Sequence, residues 1–505
     1  MAQQLSLLRT PEAYAGVTAY AHKHTGAAAA AAYLALGHAY LLDKRYAEAE
    51  SSLRQAKAGG DDLADYADFL GAQASHESGD NAAAEAMLHG FIDHYPDSIF
   101  DVQAPELEAN VLLALNNPTG AQRILAQAAG LAAEDRSGFQ LALGQVDYAL
   151  GQKAQAQEVF KQLLLTHPLA ADAQVARARL TEMGAEATLT PVELSSLGDA
   201  FYKAGRYSEA AEQYRALMRS SALGATERAT FAVAEAACQW KLKRLTPAMV
   251  QGLPDTADEN GARRLYLLME LARDRDDSAD QQRIVSEMES RFPLSPWLAE
   301  ALFSSGNMYL LKRDYPNAVG YYRYLAQHFP SSKNAAAAHW RAGWLSYRQK
   351  LYPEAANLFD EQIRLYPTAT ETVAALYWRG RLYESQDHNA GQAAANYRAI
   401  VRAYQHFFYA QMSRARLAAL GDTLPVTTPQ LDSYQPIAAP NLVDTFPADS
   451  PHLARARLLA NAGMNEYIAQ EIAADPESES WSALAEAQIY ASYGETYRAM
   501  RSLKR

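Results

Sequence analysis

The sequence predicts an all-α fold, an array of repeated helix pairs. Three observations predict it. Gly306, Gly343 and Gly380 stand at equal intervals of 37 residues. Tyr315 and Tyr352, Ala318 and Ala355, and the pairs Phe329-Pro330 and Tyr366-Pro367 keep that interval. Between these marks the apolar residues recur at helical spacing, two helices to a period, in an alanine-rich chain that favours helix. At 505 residues the chain is too long for one compact core, so several units or one elongated array are expected.

Each element follows from its residue types. Tyr33, Leu36, Gly37, Tyr40, Tyr46 and Ala49 open the first unit. Leu141–Pro168 holds a second clear copy, with Gly144, Gly151, Ala156, Phe160 and Pro168. Leu194, Leu197, Gly198, Phe201, Gly205, Tyr207, Ala210 and Tyr214 form another. Small residues fall where two helices cross closely, and large apolar residues at i, i+3, i+4 and i+7 make one face of each helix. A proline stops the second helix and starts the next unit. No pair can bury its apolar face alone, so stacked neighbours supply the core. This pattern resembles the tetratricopeptide repeat, which implies an α-solenoid. The expected organisation is N-terminal repeats over 1–185, tetratricopeptide-like repeats over 186–420, a connection over 421–451 and C-terminal helices over 452–505. The copy around Gly71 is degenerate, Met183–Pro191 reads as a joint, and Gly252–Arg264 reads as a loop. The connection carries six prolines and little helical periodicity.

Composition narrows the function. Hydrophobic residues make up 49% and charged residues 21%, as in an ordinary folded chain. The net charge of −12 argues against a nucleic-acid backbone as main partner and gives no charge-driven attraction to an anionic surface. Tyrosine, at 30 residues, outnumbers phenylalanine at 14, which suits side chains buried at one end and wet at the other. Cys238 is the single cysteine, so an intramolecular disulfide is excluded, and a small buried residue is the expected reading. No apolar run is long enough to span a membrane. The N-terminal stretch shows no basic segment followed by an apolar one, and so no signal peptide as the chain stands.

No phosphate-binding glycine loop, zinc-protease helix or serine-nucleophile elbow occurs. The histidines do not fall in metal-ligand spacing, and His94, His167 and His328 suit helix C-termini. No catalytic residue, cofactor or metal is expected. One feature stands out. Trp340, Trp344 and Tyr347 lie at i, i+4 and i+7 on one predicted helix, beside Arg341 and Arg348. Such a row could line the concave face of a repeat array and grip a sugar ring or a peptide. The plainer alternative is that it packs against a neighbouring element.

Ala338–Ser385 carries W-R-x-G-W (Trp340, Arg341, Gly343, Trp344), then Tyr352 and Ala355, then Ala374 to Trp378, Gly380, Arg381 and Glu384. These motifs, with His406–Gly421 and Ala454–Ile472, resemble the superhelical region of soluble lytic transglycosylases over about 200 residues. In that family the chain continues into a lysozyme-like domain with a Glu-Ser acid site and a Gly-Leu-Met-Gln segment. None of Glu77-Ser78, Glu384-Ser385, Glu477-Ser478 and Glu479-Ser480 is followed by that segment, so no catalytic residue carries over. The resemblance implies a non-catalytic scaffold of a periplasmic peptidoglycan lytic transglycosylase. Its partners would be the absent catalytic domain and glycan strands. The alternative is a stand-alone tetratricopeptide scaffold, in envelope or cytoplasm, that binds a protein segment in its groove.

Overall fold

A computed structural model describes residues 1–60, 62–130, 136–184, 189–219, 223–421, 426, 428–436, 446–447 and 449–504. Among the described residues the regular structure is helical, without strands. The chain divides into two compact units. One comprises Met1–Thr190 with Ala439–Arg505, the other Pro191–Ala438.

In the second unit the helices pack mostly in sequence order as antiparallel pairs: Pro191–Lys203 with Tyr207–Met218, Glu259–Asp274 with Ser278–Arg291, Pro296–Leu311 with Tyr315–His328, Ala335–Arg348 with Tyr352–Leu365, and Thr372–Ser385 with Ala390–Ala403. The spaced glycines explain the packing. A Cβ placed on Gly306 would stand 2.5 Å from Tyr322 Cε1, and one on Gly380 would stand 2.7 Å from Tyr397 Cε1. Each glycine thus opens a slot in the first helix for a ring on the second. The ring's polar end is also satisfied, which explains tyrosine at this position. Tyr322 donates to Asn307 Oδ1 at 2.7 Å, and Tyr214 donates to Asp199 Oδ1 at 2.7 Å.

The turn between paired helices has its own signature. Lys350, Arg313 and Gly205 hold φ at 63°, 60° and 77°, the left-handed region that glycine adopts without penalty. The residue that follows often caps the next helix. Asp314 accepts from the Asn317 amide, and Asp277 from the Asp280 amide.

The first unit repeats the scheme and then departs from it. Ala27–Leu42 pairs with Tyr46–Gly59, Gln103–Ala114 with Pro118–Ala128, and Ser137–Ala149 with Lys153–Thr166. Around Gly71 the pair is complete: Ala64–Ser78 packs on Asn81–Leu88, with Met87 Sδ in the slot where other copies place a ring. The N- and C-terminal segments share one core. Leu5, Leu34, Tyr66 and Phe100 lie in it with Leu459, Ile468, Ile472 and Trp481.

Gly252–Arg264 is shorter as a loop than the sequence suggests. The helix Glu259–Asp274 starts within it, because the Asp258 carboxylate caps the amides of Asn260 and Gly261. Much of the connection 421–451 lies outside the described residues, and Pro429–Asp432 forms a short helix within it. Part of the joint Met183–Pro191 also lies outside them.

Candidate functional site

Trp340, Trp344 and Tyr347 project from the helix Ala335–Arg348 and are half-buried. They stack along the helix, Trp340 on Trp344 at 6.1 Å and Trp344 on Tyr347 at 5.6 Å between ring centres. The row does not end with its own helix. Trp378, from the next pair, lies 4.7 Å from Trp344 and 4.9 Å from Tyr347. Its Nε1 donates to the Tyr409 hydroxyl at 3.4 Å. Trp340 is also anchored on Phe359, at 5.5 Å, the ring that fills the Gly343 slot. The row therefore packs against its neighbour while remaining partly exposed.

The arginines do not flank the rings as open cations. Arg341 lies over Phe303 at 4.9 Å and donates to Asn307 Oδ1, the atom that also holds Tyr322. Arg348 is exposed and lies over Tyr315 at 5.2 Å. Both reach back towards the preceding pair and tie it to this one through cation–π contact.

One period along the chain the face changes character. Arg381 and Glu384 occupy the positions equivalent to Trp344 and Tyr347. Glu384 pairs with Arg416 and accepts from the Tyr397 hydroxyl at 3.0 Å. Trp378 adjoins the row and this ion cluster lies one period further along, and helical spacing within Ala335–Arg348 points to neither. The available signal was the A-L-Y-W-x-G-R-x-x-E motif, whose Trp378 falls at the register of Arg341 instead of a ring.

Other groups singled out in the sequence are placed as follows. Cys238 is fully buried, and burial together with Glu235 pushes its thiol up to about 12, which keeps it protonated at neutral pH. His328 closes its helix, stacked 3.9 Å from Tyr324, and His94 is the last residue of a short helix. Sequence spacing also missed a cluster in the first unit. Glu85, His89 and Glu108 bring one ligand atom each to within 4.8 Å of one another.

The family model described as YfiO, outer membrane lipoprotein, matches residues 297–427, the segment that carries the ring row. A tetratricopeptide-repeat model matches residues 141–183 and 196–251. No curated protein matches the chain. Among solved structures, an inactive mutant of the lytic transglycosylase Slt from Pseudomonas aeruginosa is 16% identical. That alignment covers 90% of this chain and 70% of that one, with a TM-score of 0.46. The APC/C hetero-tetramer Cut9-Hcn1 is 13% identical over 94% of this chain and 92% of that one, with a TM-score of 0.29. Among the described residues no helix is long and apolar enough to cross a membrane. Its repeats and helix pairs make the chain an all-α, tetratricopeptide-like helical-repeat protein.

Proposed function

We propose that the chain is a scaffold of the cell envelope that holds a segment of a partner protein on the face formed by Trp340, Trp344, Tyr347 and Trp378. The observation that carries this reading is the half-buried ring row, continuous across two repeats and beside the Arg381–Glu384–Arg416 cluster. Tryptophan, tyrosine and arginine dominate the energetics of protein interfaces. Rings already stacked on one another lose little freedom on binding, so most of their contact energy is retained. The match of residues 297–427 to the outer membrane lipoprotein model supports an envelope setting, and the tetratricopeptide match supports a protein partner.

The resemblance of Ala338–Ser385 to lytic transglycosylase superhelices favours a second reading, in which the same row guides glycan strands for a catalytic domain. A sugar ring also stacks on indole faces, so the row alone suits both.

One experiment separates them. The purified chain and its Trp344→Ala and Trp378→Ala variants are incubated with solubilised envelope proteins and, separately, with isolated peptidoglycan. The protein-scaffold reading expects a defined set of proteins whose recovery falls at least about tenfold in both variants, the effect of losing one interface anchor. Wall binding that depends on the same tryptophans, with no such protein set, supports the glycan reading. Release of anhydro-muropeptides would place a catalytic group in this chain and overturn both.

A further inference from the structure

The first unit contains a second cluster of chemistry-bearing residues that the ring row does not use. Glu85 and His89 stand one helical turn apart at the end of the helix Asn81–Leu88. Glu108 comes from Gln103–Ala114, which packs against that helix. His89 Nδ1 lies 3.4 Å from Glu85 Oε1, the edge of a tetrahedron with metal–ligand bonds of about 2.1 Å. All three ligand atoms fall within 4.8 Å of one another. His89 and Glu108 also line one hollow, together with Asp93, Arg123 and Gln127.

The independent sign of a ligand is Glu108 itself. It is only 5% exposed, and among the described contacts it makes no hydrogen bond or ion pair. A carboxylate set this deep and facing the hollow, with no protein group bonded to it, is poorly solvated unless something in the hollow meets it or it stays protonated. Burial, and then the charge of Glu85, push it up to about 7, with Arg123 pulling the other way.

We infer that Glu85, His89 and Glu108 form a binding site for a divalent transition cation of the zinc class. An imidazole with two carboxylates suits zinc and its neighbours better than calcium or magnesium, which prefer all-oxygen shells. Closing the set from separations of up to 4.8 Å requires side-chain shifts on the order of 1 Å, and the Glu85 and His89 side chains are exposed enough to turn. The remaining position opens to the hollow, where water completes the shell.

The test is calorimetric titration of zinc chloride into the chelator-stripped full chain. His89→Ala and Glu108→Gln serve as variants, and calcium chloride as the second cation. His89 is exposed and Glu108→Gln keeps the side-chain shape, and circular dichroism checks that both fold. The expected result is one zinc equivalent whose affinity falls at least about tenfold in each variant, with much weaker calcium binding. Zinc binding unchanged by both variants would assign it to histidines elsewhere and overturn the site. Calcium bound as tightly as zinc, or no zinc binding, would overturn it equally.

Discussion

Two regions hold themselves together by different means. In the pairs from Pro296 to Ala403, a glycine and a ring 16 or 17 residues later make the seam. In the first unit, the two ends of the chain meet over buried charges. Arg455 donates to Asp65 and to Glu471 at 2.6 Å each, and Tyr66 donates to Glu471 at 2.5 Å. Ser98 and His452 complete the set. Asp65 and Glu471 are 1% and 0% exposed. Burial opposes the charge of Arg455, and the two carboxylates more than offset it, so its pKa is raised. A local seam reads out of adjacent helices. A buried ionic set penalises any arrangement that leaves one of its charges unmet, and here it ties Ala64–Ser78 to Pro451–Asn461 within the unit.

The comparison breaks most sharply at Arg455. Arg455→Ala leaves Asp65 and Glu471 buried without their cation and should cost about 3–5 kcal/mol. Hydrogen exchange should quicken in Ala64–Ser78 and Pro451–Asn461, while Ala335–Arg348 keeps its protection. Equal loosening of both would show that the set does not act locally.

The seam is tested next. Gly306→Ala presses on Tyr322, whose hydroxyl is held by Asn307, and should cost about 1–3 kcal/mol. Gly343→Ala meets Phe359 at 3.0 Å, a looser slot, and the helix propensity of alanine offsets the contact. Its effect should stay below about 1 kcal/mol. Denaturant midpoints of the two variants measure the difference.

Glu108 gives a pH signature of comparable size. Its folded pKa, raised from 4.5 to about 7, makes its contribution fully present below the unfolded value. That contribution is lost as pH rises through about 7. Relative to Glu108→Gln, the parent should lose on the order of 1–3 kcal/mol between pH 4 and pH 8, measured by urea unfolding without metal. A flat difference would contradict the upward shift that burial and Glu85 impose on this carboxylate.

The smallest effect lies in the turns. Lys350 holds φ at 63°, so Lys350→Gly should stabilise by about 0.5–1 kcal/mol. The same change at Gln349, outside the left-handed region, should not stabilise. Thermal midpoints decide between them.

These contrasts also say what the sequence makes legible. The helix pairs are readable because Gly306 and Tyr322 lie one hairpin apart, and the 37-residue interval repeats the same contact. Trp340, Trp344 and Tyr347 are readable as a row because one helix sets their spacing. Trp378 is not, since its place beside Trp344 depends on how two pairs stack. Arg455 and Asp65 are separated by 390 residues, and no local pattern announces that they meet. Glu85 and His89 stand one helical turn apart, but Glu108, which meets them, comes from another helix, so spacing in one helix does not announce the cluster. The cap at Asp258 was hidden by Asn260-Gly261, which reads as a turn until the carboxylate is seen on both amides.

The central claim is that the ring row is a protein-binding face. The most direct measurement places a photoreactive phenylalanine at position 344, with position 192 as an exposed control, and crosslinks in the cells that make the protein. The account predicts defined protein adducts from position 344 that are absent from position 192 and fade when Trp378→Ala is added. Adducts of equal pattern at both positions, or adducts to glycan alone at 344, would contradict it.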